Sequence, residues 1–145
     1  MIDAQNDTAG RYHAELLLSY IEDHINRPLE RKNKAVFVSG HDTNLMALGR
    51  HLNITSLANK LLPYSALLAI ELHLRNGTYT VEMYLSETLQ DQLKPVESLY
   101  CRNPCKLEDL QALLRDTRLS RNDWTYMCNG YGYTPRLHFL LVGGY

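Results

Sequence analysis

The dipeptide Asn76-Gly77, set between LLAIELHLR and TYTVEMYL, constrains this chain more than any other feature. Both residues tolerate positive φ, so the pair suits a type I′ turn joining two antiparallel strands. On the first arm Ile70, Leu72 and Leu74 alternate with Glu71, His73 and Arg75. On the second, Val81, Met83 and Leu85 form the expected inward set. Alternation with a period of two marks a sheet with one buried face.

Helical patterns flank the hairpin. The spacing predicts a helix over 8–25, with Tyr12, Leu16, Ser19, Tyr20 and Ile21 near one face and Leu17, Leu18 and Ile25 widening it. Asn26, Arg27 and Pro28 stop it. His13 and His24 are expected on its solvent side. A short helical turn is expected over 57–62, and LEDLQALLRD reads as a helix burying Leu107, Leu110, Leu113 and Leu114. SRNDW reads as a turn, with Trp124 packing back on the body. The polar connection LERKNK and the Gly- and Tyr-rich tail, with His138, have no assigned structure.

Between these elements lies VFVSGHDTNLMALGRHL. The apolar run at 35–39 lacks alternation, which predicts a strand buried on both faces. Gly40 breaks it, and from Asn44 apolar residues return at helical spacing over 43–52, with Thr43 as the expected cap. His41 and Asp42 thus fall at the end of a strand and the start of a helix, the crevice where ligands bind in open α/β sheets. A parallel strand needs neighbours that this inventory does not supply, so the chain reads as the second half of a sheet.

With 145 residues, 45% of them hydrophobic, the chain suits one globular domain. A net charge of −1 argues against a nucleic-acid surface. No apolar run approaches the roughly 20 residues that cross a bilayer. The polar start MIDAQNDTAGRYH is not a signal peptide as written.

Three cysteines are present. Cys101 and Cys105, separated by a turn at Asn103-Pro104, suit a local disulfide; free thiols are the alternative, and a zinc site lacks a second ligand pair. Cys128 is left over. Asn6, Asn53 and Asn76 head glycosylation sequons that matter if the chain is secreted. Together these features tilt the chain towards the secretory route and predict further sequence ahead of the polar start.

A helix N-terminus favours anions such as phosphate, and an imidazolium adds charge and a donor. A carboxyl group that holds a proton can serve there as general acid. The plainer alternative is that Asp42 caps the helix and His41 fills space. A metal centre of the His-Asp phosphohydrolase type is disfavoured, because His24, His51 and His73 lack ligand-like spacing to the pair. His51 in RHL sits late in a helix without a phosphate-cradling loop, which argues against it as a nucleophile.

VSGHDTNLMALGRHLNI resembles the C-terminal signature of the histidine acid phosphatases. LLPYSALLAIELHLRNGTYTVEMYL, CRNPCKLEDLQALL and DWTYMC resemble, in order, the hairpin, cysteine-pair and terminal segments of the animal members. The likeness runs over most of 9–128 and stops before the tail 129–145. It implies an α/β fold, the C-terminal part of a phosphoglycerate-mutase-like three-layer sandwich with a mixed sheet and helices on both faces, incomplete here. It divides the chain into that half-domain, 1–128, and an unplaced tail, 129–145.

The resemblance further implies hydrolysis of a phosphate monoester through a phosphohistidine, without metal or cofactor. Asp42 matches the general acid and His41 the residue binding phosphoryl oxygens. The family's Arg-His-Gly-x-Arg-x-Pro nucleophile motif and its further phosphate-binding arginine have no counterpart, so the chain alone is expected to be inactive. Cys128 matches a cysteine whose partner lies in the absent half. The implied setting is secreted or lysosomal; animal relatives form dimers, and a homodimer is left open here. An anion-binding accessory or decoy chain is the alternative, and a separate chain supplying the Arg-His-Gly half is a third reading.

Overall fold

A computed structural model describes residues 2–27 and 35–129. The connection at 29–34 and the tail at 130–145, with His138, lie outside the described residues. The side chains of Asn6 and Cys128 also fall outside the description. The element content is mixed α/β, and each described strand pair is antiparallel.

The hairpin forms as its sequence demands. Strands β1 (Leu67–Arg75) and β2 (Thr78–Ser86) pair in full register from Leu67 opposite Ser86 to Arg75 opposite Thr78. Asn76 and Gly77 turn between them with φ of 51° and 79°, the left-handed pair of a type I′ turn. Val81, Met83 and Leu85 are buried, and Ile70 and Leu72 pack against them. Leu74, on the same side of the alternation as Ile70 and Leu72, departs from them. It is 59% exposed, because next to the turn the hairpin runs past the core cluster. On the opposite face Glu82 is buried, with Tyr84 Oη donating to its Oε2 at 2.5 Å and Arg75 forming an ion pair with Oε1 at 2.7 Å. The hydrogen bond from Tyr84, then the Arg75 charge, hold its carboxyl below the usual range.

The far edge of β2 is covered in pieces. Strand β3 (Lys94–Pro95) pairs with Leu85 and Tyr84, and β4 (Cys105–Lys106) with Val81 and Thr80. Between them Asn103 acts as a one-residue strand: its Oδ1 accepts the Met83 N–H at 3.3 Å, and its Nδ2 donates to the Met83 carbonyl at 3.1 Å. The Cys101–Cys105 disulfide, with Cα atoms 5.2 Å apart, closes the loop that presents Asn103. Among the described residues β1 pairs only with β2 and forms the other end of the sheet.

Helix α1 spans Ile2–Asn26, six residues further forward than expected, and ends before Arg27-Pro28. It packs on α2 (Asp42–His51), followed by the single turn α3 (Thr55–Ala58), shorter than the 57–62 turn expected. Helix α4 (Leu107–Leu114) buries Leu107, Leu110 and Leu114 against β2 and β4, with Leu113 half-buried; a 3₁₀ turn (Arg115–Thr117) follows.

SRND is a helix start rather than a turn. Ser120 N–H donates to Asp123 at 2.9 Å, Asp123 N–H donates to Ser120 Oγ at 3.1 Å, and α5 (Arg121–Asn129) follows. Trp124 does pack back, stacked on Tyr12 of α1 with ring centroids 4.4 Å apart.

The segment 35–40 overturns the largest expectation. It forms no strand, and Val36, Phe37 and Val38 are 49%, 93% and 63% exposed. No described strand lies beside it to receive its backbone groups, so apolar composition alone does not make it a buried strand.

Candidate functional site

The exposed segment runs directly into α2. His41 has an extended backbone, with φ −96° and ψ 162°, and Asp42 opens the helix. Asn44, three residues on, closes the helix start: its Oδ1 accepts the His41 N–H at 2.7 Å. The Asn44 and Leu45 N–H groups donate to the His41 carbonyl at 3.0 and 3.4 Å. Thr43, the expected cap, lies inside the first turn and is exposed, because the helix begins one residue earlier. Asp42 is half-buried and its Oδ1 accepts the Thr43 N–H at 2.7 Å. The His41 side chain stands exposed.

Asn44 also reaches across to α1. Its Nδ2 lies 3.0 Å from Nε2 of His13. With Oδ1 committed to His41, the amide presents N–H to the ring, so His13 accepts at Nε2 and carries its proton on Nδ1. The ring is half-buried, edge-on to Tyr12 at 5.7 Å, and burial lowers its pKa below the ordinary histidine value. This corrects the expectation that His13 faces solvent; His24 is half-buried too. Sequence reasoning missed Asn44 and His13. The available signals were a polar side chain three residues after His41 and the placement of His13 one turn after Gly10.

The other candidates lie apart. His51 sits at the far end of α2, roughly 13 Å along the axis by helix rise, with Nε2 3.1 Å from Thr117 Oγ1. There it lines an open cleft of about 450 Å³ with Arg50, Asn53, Tyr100 and Thr117. Arg50 donates from Nε to the Ala58 carbonyl at 2.9 Å. His73 is on the polar face of β1 with Glu71 at 3.0 Å. Asn76 is exposed at the hairpin tip, and Asn53 is half-buried.

Among the described residues no group of three or more His, Cys, Asp or Glu could hold a metal ion. Among them, too, no helix is long and apolar enough to cross a membrane. The pair places a solvent-facing imidazole and a half-buried carboxyl group at the positive end of a helix.

Comparison with known proteins points to one class, a histidine acid phosphatase-like relationship. The chain is 30% identical over 101 residues to prostatic acid phosphatase of Rattus norvegicus, covering 70% of this chain and 26% of that protein. It is 31% identical over 99 residues to the Mus musculus protein of that name, covering 68% of this chain and 25% of the relative. For the Homo sapiens protein the figures are 28% over 121 residues, 82% and 30%. The chain therefore spans between a quarter and a third of the length of these relatives. No protein-family model matches.

Proposed function

We propose that this chain carries the acid half of a phosphomonoesterase site, with residues 1–128 as the C-terminal part of a histidine acid phosphatase domain of sandwich type. The observation that carries the proposal is the His41–Asp42 pair at the start of α2, in a chain similar to prostatic acid phosphatases over 99–121 residues.

In this reading a histidine outside the described site attacks phosphorus and the P–O bond to the leaving alcohol breaks. Asp42 supplies the proton that the departing oxygen takes up, and His41 donates to the phosphoryl oxygens. Water then attacks the phosphohistidine; the now ionised Asp42 takes a proton from it, and phosphate leaves. Protonating the leaving group is worth roughly 10²–10⁴ in rate. No cofactor enters the scheme. The nucleophile motif and an arginine come from sequence absent here, whether preceding this segment or on another chain. The setting is secreted or lysosomal, with the Cys101–Cys105 disulfide and glycans at Asn6, Asn53 and Asn76; a homodimer is compatible with this scheme.

The alternative is an anion-binding accessory or decoy chain, which needs neither the nucleophile nor the general acid. Aryl phosphate hydrolysis at about pH 5 separates the readings, measured on the chain alone and joined to a segment carrying the Arg-His-Gly-x-Arg-x-Pro motif. The chain alone stays inactive, the joined form turns over, and Asp42→Asn lowers its rate roughly 10²-fold or more. A joined form that is inert, or indifferent to Asp42→Asn, sinks the phosphatase reading. Turnover by the chain alone places the nucleophile within it and overturns the half-site assignment.

A further inference from the structure

We infer that His13 is a positioning residue for the His41–Asp42 pair: by accepting a hydrogen bond at Nε2 it holds the Asn44 amide in the orientation that caps His41. The inference rests on the functional reading of that pair. It adds a residue from α1, 28 positions before His41, that neither the sequence patterns nor the comparisons single out.

A side-chain amide has a donor end and an acceptor end, and the two neighbours of Asn44 make opposite demands. The His41 N–H can only donate and takes Oδ1 at 2.7 Å. The face turned to α1 must therefore present Nδ2, which needs an acceptor, and His13 Nε2 supplies it at 3.0 Å. Were the ring an imidazolium, both of its nitrogens would donate, and donor would meet donor. Either the amide turns over, placing its own N–H₂ against the His41 N–H, or the ring withdraws. In both cases the constraint on the backbone between His41 and Asp42 is lost, and with it the fixed origin of the two side chains.

The surroundings favour the accepting form. The group facing the ring from α2 is the neutral Asn44, with the titratable His41 and Asp42 beyond it at the helix start; Tyr12 lies beside it on α1, and α5 contributes Trp124 stacked on Tyr12. Among the described residues no carboxylate pairs with the ring to stabilise its cation. The positive end of α2 disfavours that cation, and burial acts in the same sense. A site working in acid would need such a histidine to stay neutral while solvent-exposed ones charge.

The test follows amide signals of the 145-residue chain by NMR between about pH 8 and 4, a range bracketing histidine titration. The Asn44 Nδ2 and His41 backbone signals move with the midpoint of the His13 ring, and the protection of the His41 N–H, relative to its intrinsic exchange rate at each pH, falls roughly fivefold below it. His13→Gln keeps an acceptor without the titration, so the shared midpoint disappears and His41 stays protected. His13→Leu removes the acceptor, and protection falls at all pH values. An unchanged midpoint in His13→Gln overturns the inference, as does unchanged exchange in a folded His13→Leu. These readouts need no substrate, so a failed phosphatase reading registers in the aryl phosphate assay and leaves them untouched.

Discussion

Gly10 of α1 lies so close to Ala47 of α2 that a Cβ on it would sit 2.4 Å from the Ala47 carbonyl oxygen. One turn along each helix in opposite directions, His13 meets Asn44. The two contacts fix an antiparallel crossing, and the absent side chain at Gly10 sets how near the helices come. Gly10→Ala is therefore expected to destabilise the chain despite alanine's helix preference of about 1 kcal/mol. The obstacle is backbone, so α1 must move, at a cost of about 1–3 kcal/mol. Urea unfolding of the variant measures the loss; a stability equal to or above the parent contradicts this account of the crossing.

Asn103 does the work of a strand with one side chain. Asn103→Ala leaves the Met83 N–H, which has no residue of β3 or β4 opposite it, short of a partner, which costs about 1–3 kcal/mol. The Met83 carbonyl is less affected, since it also accepts the Val96 N–H at 2.9 Å. Faster hydrogen exchange at Met83, with little change at Ile70 across the hairpin, is the expected signature.

Arg118 joins the region after α4 to α1 by bonding both Glu15 and Glu22, at 2.8 and 2.9 Å. Its hydrogen bond to Glu22 is the main reason that carboxyl ionises below the ordinary glutamate value. A folded-state pKa lower than the unfolded one contributes stability above the unfolded value and loses it as pH falls through the folded value. Stability is thus expected to decline below about pH 4.5, the ordinary glutamate region, and Arg118→Met to flatten that decline. The groups are partly exposed, so the variant costs about 1 kcal/mol or less at neutral pH. Thermal unfolding at several pH values in low salt reads both effects; identical pH profiles for the two proteins refute the linkage.

The turn, register and buried face of β2 were legible because their determinants are local: Asn76-Gly77 sets the turn, and alternation sets which face Val81, Met83 and Leu85 present. Helix α4 was legible for the same reason. The segment 35–39 was misread because burial of an apolar run is decided by what lies beside it, which no local pattern encodes. His13 escaped notice since a glycine contributes nothing to an apolar stripe, although Gly10 marks the buried face of α1. SRND carried a capping box in plain sight, and its polar composition pulled the reading towards a turn. His41 and Asp42 were picked out correctly as neighbours at a helix start, while the cap on them depends on a contact between residues 31 positions apart.

Among the described residues the sheet is sealed on one side by β3, Asn103 and β4, and ends on the other at the nine-residue β1. Unpaired backbone groups along an end strand invite pairing with another chain. The two edges differ in length: β1 offers nine residues, whereas β3 and β4 offer two each. Two copies joined edge to edge through β1 would consume the long edges and leave only two-residue strands outward, poor templates for further strand addition.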